Sequence, residues 1–268
     1  MAVEKTQAYI LKTIPYRESS CILYLLTESY GIVHGIAKGI RKQKSQPVFF
    51  ERGFLVETLL YTKPNRDLHT LAEMNVVQFF PRLRMNLFNT ALRDIAFETI
   101  LKNIRTGYPY PELFSMITSF LKLLEHQPAN YKLPTILWKF YLDFSAIIGF
   151  ELDTHTCISC SNSIGDSPAG AYLIIEKGGF VCNRCSPLNT TKRNYLSNNI
   201  LRLLTNNRNP GNRVPDGTVE ISPAEAKRIT MLLASYCQYH NDTGIDNKAL
   251  NFLEMLLHAP EKQSMNLS

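Results

Sequence analysis

Cys157-Ile-Ser-Cys160 and Cys182-Asn-Arg-Cys185 are two C-x2-C pairs separated by twenty-one residues. Four thiolates at that spacing suit one tetrahedral zinc ion. Each pair turns tightly enough to aim two sulfurs at a common point. The span between them, Ser161 to Val181, is long enough for a small hairpin, with Gly165, Gly170, Gly178 and Gly179 at its turns. Ala171 to Glu176 and Gly179 to Val181 read as its two short strands. A ribbon of this size is expected to own no core, with metal taking the core's place. The module is set at 153–188.

Two other uses of the cysteines fit less well. The opening MAVEKTQAYI has no secretory signal, and six cysteines in 268 residues are few for a disulfide framework. A reducing compartment is expected, and Cys21 and Cys237, in apolar contexts, read as buried thiols. A catalytic zinc of the nucleobase-deaminase kind needs H-x-E ahead of its P-C-x-x-C, whereas Asp153-Thr-His155-Thr stands before Cys157. Four thiolates also leave no open position for water or substrate. The expected ion is therefore structural, one zinc per chain.

The elements that must carry this site follow from the hydrophobic pattern. Residues 8–13, 22–27, 31–37, 53–61 and 68–79 are rich in β-branched and aromatic side chains, with turn chemistry at Glu28 to Gly31 and Lys63 to Asp67. Five short strands in about eighty residues predict a small closed barrel, and the five-stranded OB-fold is the barrel of that size that binds single-stranded nucleic acid. Leu87, Ala91, Leu92, Ile95 and Thr99 then recur at helical spacing, so the domain boundary is expected near Pro81. Pro111 and Pro134 open two more helices, the second closed by Gly149. Their apolar stripes read as core. Ser197 is placed as the cap of a short helix through Leu204, followed by a basic loop from Asn206 to Gly217. Ser222-Pro-Ala-Glu225 is a capping box, a last helix spans 246–257, and the tail over 261–268 is expected to be disordered. The fold class is α+β: an OB-fold barrel over 1–80, then a helical domain over 81–260 with the zinc module inserted.

Hydrophobic content of 45% with 19% charged residues describes a globular chain, and no apolar run approaches the roughly 20 residues of a membrane span. The net charge of +6 is modest, so its distribution matters more. Lys38 to Pro47 holds Lys38, Arg41, Lys42 and Lys44 without an acidic residue. Lys177 to Pro215 is also acid-free and holds Lys192, Arg193, Arg202, Arg208 and Arg213 beside Lys177 and Arg184. Such runs suit a polyanion. The first lies between the third and fourth predicted strands, where clustered cations neutralise phosphates without reading bases. Arg17, in the first predicted loop, is a further candidate phosphate contact. Tyr9, Tyr16, Tyr24 and Tyr30 sit on or beside strands, where tyrosines pack more often than they stack on bases. None of the four is assigned a stacking role.

The order of these features resembles the RecO family of bacterial recombination mediators over nearly the whole chain. The N-terminal part of the likeness lies in Tyr9-Ile-Leu11, Tyr16-x-Glu18-Ser19-Ser20, Leu25-Leu-Thr27 and Gly31. It continues through Ala37-Lys38-Gly39-x-Arg41-Lys42-x-Lys44-Ser45 and Leu55-Val-Glu57. Further on, Ile148-Gly149-Phe150 ahead of the first cysteine pair, Gly178-Gly179-Phe180-Val181-Cys182 and the Ser222 capping box are similar to the family's C-terminal domain. The resemblance implies a non-enzymatic, cytoplasmic, nucleoid-associated protein that binds single- and double-stranded DNA and anneals complementary strands. With RecR it would help RecA replace the single-stranded-DNA-binding protein, whose acidic C-terminal tail such proteins contact through the helical domain. The basic residues from Lys192 to Arg213 suit that tail and a phosphate backbone equally. Some family members lack the cysteines, which implies a metal that serves the fold and not the shared activity.

Two other classes stay in view. An RNA-binding or ribosome-associated OB/zinc protein fits the barrel and basic loops equally well by chemistry alone. A zinc-dependent hydrolase would use His155 or Asp153 near the metal, but the four cysteines already satisfy the ion. His34, His69, His126, His240 and His258 form no ligand-spaced motif, and no phosphate-binding G-x-x-x-x-G-K-S/T occurs.

Overall fold

Alternation along Ser20–Thr27 sets the first layer of structure: Cys21, Leu23 and Leu25 are buried, while Ile22 and Tyr24 between them are half-exposed. Successive strand side chains point to opposite faces, so one face of this strand enters a core and the other does not. A computed structural model of the chain describes residues 2–40, 50–62, 66–128, 134–164, 169–186, 192–208, 221–239 and 247–258. It has five N-terminal strands: β1 (Ala2–Tyr16), β2 (Ser20–Thr27), β3 (Gly31–Ala37), β4 (Leu55–Thr62) and β5 (Leu68–Gln78). They close into a barrel in the order β1-β2-β3-β5-β4, with β4 returning to β1 and β3–β5 as its parallel pair. Closure removes the open sheet edge.

The barrel interior is filled by Ala8, Ile10, Leu23, Leu25, Val33, Val56, Leu60 and Leu71. Gly35 faces inward where any added Cβ would lie 2.5 Å from Leu71, so the missing side chain is what lets Leu71 fill the centre. Strand β1 is far longer than the expected 8–13. Its first half, whose polar Glu4, Lys5 and Gln7 hide the strand pattern, pairs with β4, and its second half pairs with β2. A register shift between Ile10 and Lys12 bends it from one partner to the other.

Three helices follow: α1 (Pro81–Met85), α2 (Leu87–Asn103) and α3 (Pro111–His126). Proline opens α1 and α3, and the Asn86 side chain caps α2 by accepting from the N–H groups of Phe88 and Asn89. The Glu125 carboxylate accepts from the Arg82 and Leu83 N–H groups at 3.2 and 2.8 Å, satisfying the start of α1. These helices pack on the barrel through specific side chains. The Tyr9 hydroxyl donates to Thr118 at 3.0 Å, its ring meets Phe114, and the Arg93 guanidinium donates to the Arg52 carbonyl. Gly31, at φ 63°, lies where a Cβ would collide with the Tyr108 carbonyl, so only glycine permits the approach. Strand gives way to helix at Pro81, while packing divides the chain after Gln127. Met1–Gln127 is one compact unit and Pro128–Ser268 another.

The second unit contains α4 (Thr135–Ile147), α5 (Asn198–Arg208), α6 (Pro223–Tyr239) and α7 (Asn247–His258), with strands β6 (Ala171–Ile174), β7 (Gly179–Cys182) and β8 (Tyr195–Leu196) in the order β7-β6-β8. Helix α4 is apolar on nearly every side and packs against α5 and α6. Trp138, fully buried, donates its indole N–H to Thr230 at 2.8 Å. Gly149, at φ 86°, stops α4 as expected. Ser222 accepts from the Glu225 N–H at the start of α6, which realises one half of the capping box. Helix α5 continues to Arg208, past the expected end at Leu204. Ile200, Leu201, Leu203 and Leu204 anchor its buried side, and the next turn needs no apolar residue to continue the backbone bonding. The tail over 261–268 lies outside the described residues.

Candidate metal centre and nucleic-acid interface

The two cysteine pairs occupy two tight turns brought together by the β6–β7 hairpin. In the first turn the Ser161 N–H returns to the Cys157 carbonyl at 2.8 Å, and in the second the Cys185 N–H returns to the Cys182 carbonyl at 3.0 Å. The Ile158 N–H donates to the Phe180 carbonyl at 2.9 Å and ties the first turn to β7. Gly179 must be small because a Cβ there would collide with the Ile158 side chain. The Sγ atoms of Cys157, Cys160, Cys182 and Cys185 all lie within 4.8 Å of one another, and Cys160 and Cys182 are 3.8 Å apart. A tetrahedron of sulfurs about 2.3 Å from a central zinc has edges of about 3.8 Å, so the four thiols fit such an ion.

Electrostatics point the same way. Burial pushes the Cys157 thiol up, but N–H groups of Cys182, Ser159 and Cys160 aim at its sulfur and bring it down to about 6. The Cys182 N–H is 3.3 Å from that sulfur. Cys185 is pushed up to about 12 because its proton is held between the sulfurs of Cys160 and Cys182. Burial pushes the Cys182 thiol up too, but N–H groups of Cys185 and Arg184 and the thiols of Cys185 and Cys160 bring it down, and negative charge gathered on neighbouring sulfurs is what a divalent cation relieves.

Among the described residues this is the one group of three or more His, Cys, Asp and Glu side chains placed to share an ion. Asp153 and His155 serve the chain instead: the Asp153 carboxylate accepts from the His155 N–H at 2.7 Å and from the Thr156 hydroxyl. Burial opposes its ionisation, yet those hydrogen bonds hold it below the usual carboxylate value. The remaining cysteines are buried, and burial pushes Cys237 up to about 12.

One expectation is corrected here. The knuckle does have a core, for Ile164, Ala171, Leu173, Phe180 and Val181 are all at most 1% exposed. The hairpin gains β8 as a third strand, and the turn after β6 (Ile175–Lys177) lies against α6. The Tyr236 hydroxyl from α6 donates to the Phe150 and Gly178 carbonyls. The first strand accordingly ends at Ile174, short of the expected Glu176, because this 3-10 turn follows it. No sequence periodicity in four-residue strands announces such packing.

The candidate basic residues fall at different places. Lys38 is exposed just beyond β3, and Arg17 is exposed in the β1–β2 turn with its guanidinium 5.2 Å from the Tyr16 ring centroid. Because Cys21 pairs with Ala37, both belong to the same end of the barrel. Arg41, Lys42 and Lys44 lie outside the described residues. In the second unit Lys192 and Arg193 are exposed on a 3-10 turn, and Arg202 is exposed on α5. Arg208 ends α5, its side chain not being among those described, and Arg213 lies outside the described residues. Arg228, not singled out from sequence, donates to the Arg193 and Tyr195 carbonyls at 2.7 Å each and fixes the turn that presents Lys192 and Arg193. An arginine on an amphipathic helix gives no sign of that role.

Fold and site together define an α+β protein with an OB-type barrel ahead of a helical unit that carries four cysteines placed to share a metal ion. Residues 1–80 match the family model described as Recombination protein O N terminal, and residues 84–258 match Recombination protein O C terminal. The chain belongs to the recombination protein O (RecO) family. A protein from Prosthecochloris aestuarii named DNA repair protein RecO is 30% identical over 250 residues, covering 89% of this chain and 92% of that one. A protein of the same name from Pelodictyon phaeoclathratiforme is 26% identical over 265 residues, covering 95% and 99%. A third, from Desulfatibacillum aliphaticivorans, is 27% identical over 254 residues, covering 94% and 96%. Among the described residues no helix is long and apolar enough to cross a membrane.

Proposed function

We propose that this protein is a non-enzymatic DNA-binding mediator of recombinational repair, working in the bacterial cytoplasm at the nucleoid. It anneals complementary single strands and, with RecR, helps RecA load onto DNA coated by single-stranded-DNA-binding protein. The reading is carried by one observation: both family models match in order along a chain whose barrel presents Arg17 and Lys38 at one end. Cations at a barrel end neutralise phosphates without selecting bases, which is the sequence tolerance that annealing requires. Arg41, Lys42 and Lys44 continue the same charge run in sequence. The ion held by Cys157, Cys160, Cys182 and Cys185 is zinc, one per chain, since soft thiolates in a closed tetrahedral set select it. Its role is structural. Lys192, Arg193 and Arg202, exposed in the second unit, supply a second cationic surface, for the acidic tail of the single-stranded-DNA-binding protein or for DNA, and Arg208 and Arg213 continue that charge run in sequence.

Competition between matched oligonucleotides checks the nucleic-acid class. A labelled single-stranded DNA on the protein is expected to be displaced by unlabelled DNA of the same sequence at lower concentration than by the corresponding RNA. Preference for the RNA strand would favour a ribosome-associated OB/zinc protein instead.

A further inference from the structure

The outer face of the barrel carries a lateral row of side chains that no part of the site above uses. In cross-strand register Lys12 lies beside Tyr24, Tyr24 beside His34, and His34 beside Leu68, so the row crosses β1, β2, β3 and β5. Cys21, Leu23, Leu25 and Val33 fill the interior, and the alternation of strand side chains puts Tyr24 and His34 on the opposite, outward face. All of Lys12, Tyr24 and His34 are half-exposed, and Leu68 is 42% exposed. The Tyr24 and His34 rings have centroids 4.1 Å apart at 45°, and the Lys12 ammonium stands 5.7 Å from the Tyr24 centroid. The next row, Ile14, Ile22, Ile36 and Thr70, is also half-exposed.

The same face is closed further along. Leu26 and Ile32, two residues beyond Tyr24 and before His34, are 0% and 1% exposed, and the Gly107 N–H donates to the Ile32 carbonyl at 3.0 Å. The segment after α2 therefore covers one end of the face and leaves these two rows open. At the other end stand Arg17 and Lys38. Lys38 is four residues from His34, about 13 Å along an extended strand, within reach of a short run of nucleotides.

The geometry points to a base-stacking platform for single-stranded DNA, with Tyr24 and His34 as its rings and Lys12 as the cation for the neighbouring phosphate. It rests on the DNA-binding reading above and adds to it the place where bases lie. Burial lowers the His34 pKa, with Asp67 opposing and His69 adding to the shift. The imidazole is then neutral at neutral pH and stacks as an uncharged ring. Every base offers a π-face, so stacking here keeps the sequence tolerance that annealing requires. A cation above one ring and two more at the barrel end favour a polyanion over an apolar protein segment.

The test uses the full-length protein and a fluorescent oligo-dT. Tyr24→Ala is expected to weaken binding by roughly 5- to 150-fold, the range for losing one base–aromatic stack. Its salt slope should be unchanged because no phosphate contact is lost, and Tyr24→Phe should retain the wild-type affinity. On an abasic strand of equal length, wild type and Tyr24→Ala should bind alike. Crosslinking of wild type to 5-iododeoxyuridine DNA provides a reading independent of any variant's folding, with the adduct expected on the peptide holding Tyr24. Wild-type affinity in a folded Tyr24→Ala protein, or adducts found only elsewhere, would overturn the platform and leave the face to a protein partner. Failure of the wild type to bind DNA at all would instead overturn the reading on which the platform rests.

Discussion

Cys182→Ser combined with Cys185→Ser is expected to leave a protein that holds no zinc and whose metal centre is unfolded, while the barrel keeps its structure. Structural zinc supplies roughly 10 to 16 kcal/mol in small finger peptides. The buried Leu173, Phe180 and Val181 of the hairpin offset part of that loss. At about 1.5 to 3 kcal/mol for each buried apolar side chain they give at most about 9 kcal/mol, an upper bound because unfolded chains already bury some apolar surface. The metal term wins. Metal analysis should find one zinc per wild-type chain and none in the double variant, and amide exchange should rise across β6 and β7 but not across β1 to β5. Retained protection in β6 and β7 without metal would mean that packing against α6 suffices.

The quadruple replacement of Lys38, Arg41, Lys42 and Lys44 by alanine is expected to remove the barrel's main grip on DNA. Each phosphate contact to a single strand contributes about 0.7 to the slope of log affinity against log salt. Four contacts thus flatten the slope by up to about 2.8, which over a fourfold rise in salt is a difference of about fifty-fold in affinity. Base composition should matter little, because phosphate contacts position a strand without specifying it. Circular dichroism must report an intact fold for the comparison to count. A folded variant with the wild-type slope would move the phosphate contacts to the Lys177 to Arg213 stretch.

Features governed by local rules were readable in the sequence. The cysteine spacing alone located the four-cysteine cluster, Pro111, Pro134 and the Ser222 box marked helix starts, and five strand runs led to a closed barrel, whereas the short α1 at Pro81, read only as a boundary, went unforeseen. What escaped depends on partners distant in sequence. The first half of β1 is a strand because β4 pairs with it, and β8 is two residues that exist as a strand only beside β6. The burial of Leu173 and Phe180 comes from the packing of their hairpin in the second unit. Tyr9 packs as strand tyrosines usually do, fully buried against Phe114. Tyr24 differs from it because register places His34 and Lys12 beside it on an open face. A single strand's pattern carries no record of that register.

The most direct test of the mediator reading is an annealing assay with two complementary oligonucleotides, each coated by the cognate single-stranded-DNA-binding protein. Addition of this protein without nucleotide is expected to convert them to duplex far faster than spontaneous pairing, equally for unrelated sequences, and the quadruple alanine variant should lose most of that rate. Duplex formation at the spontaneous rate, with the protein nonetheless bound to the DNA, would contradict it.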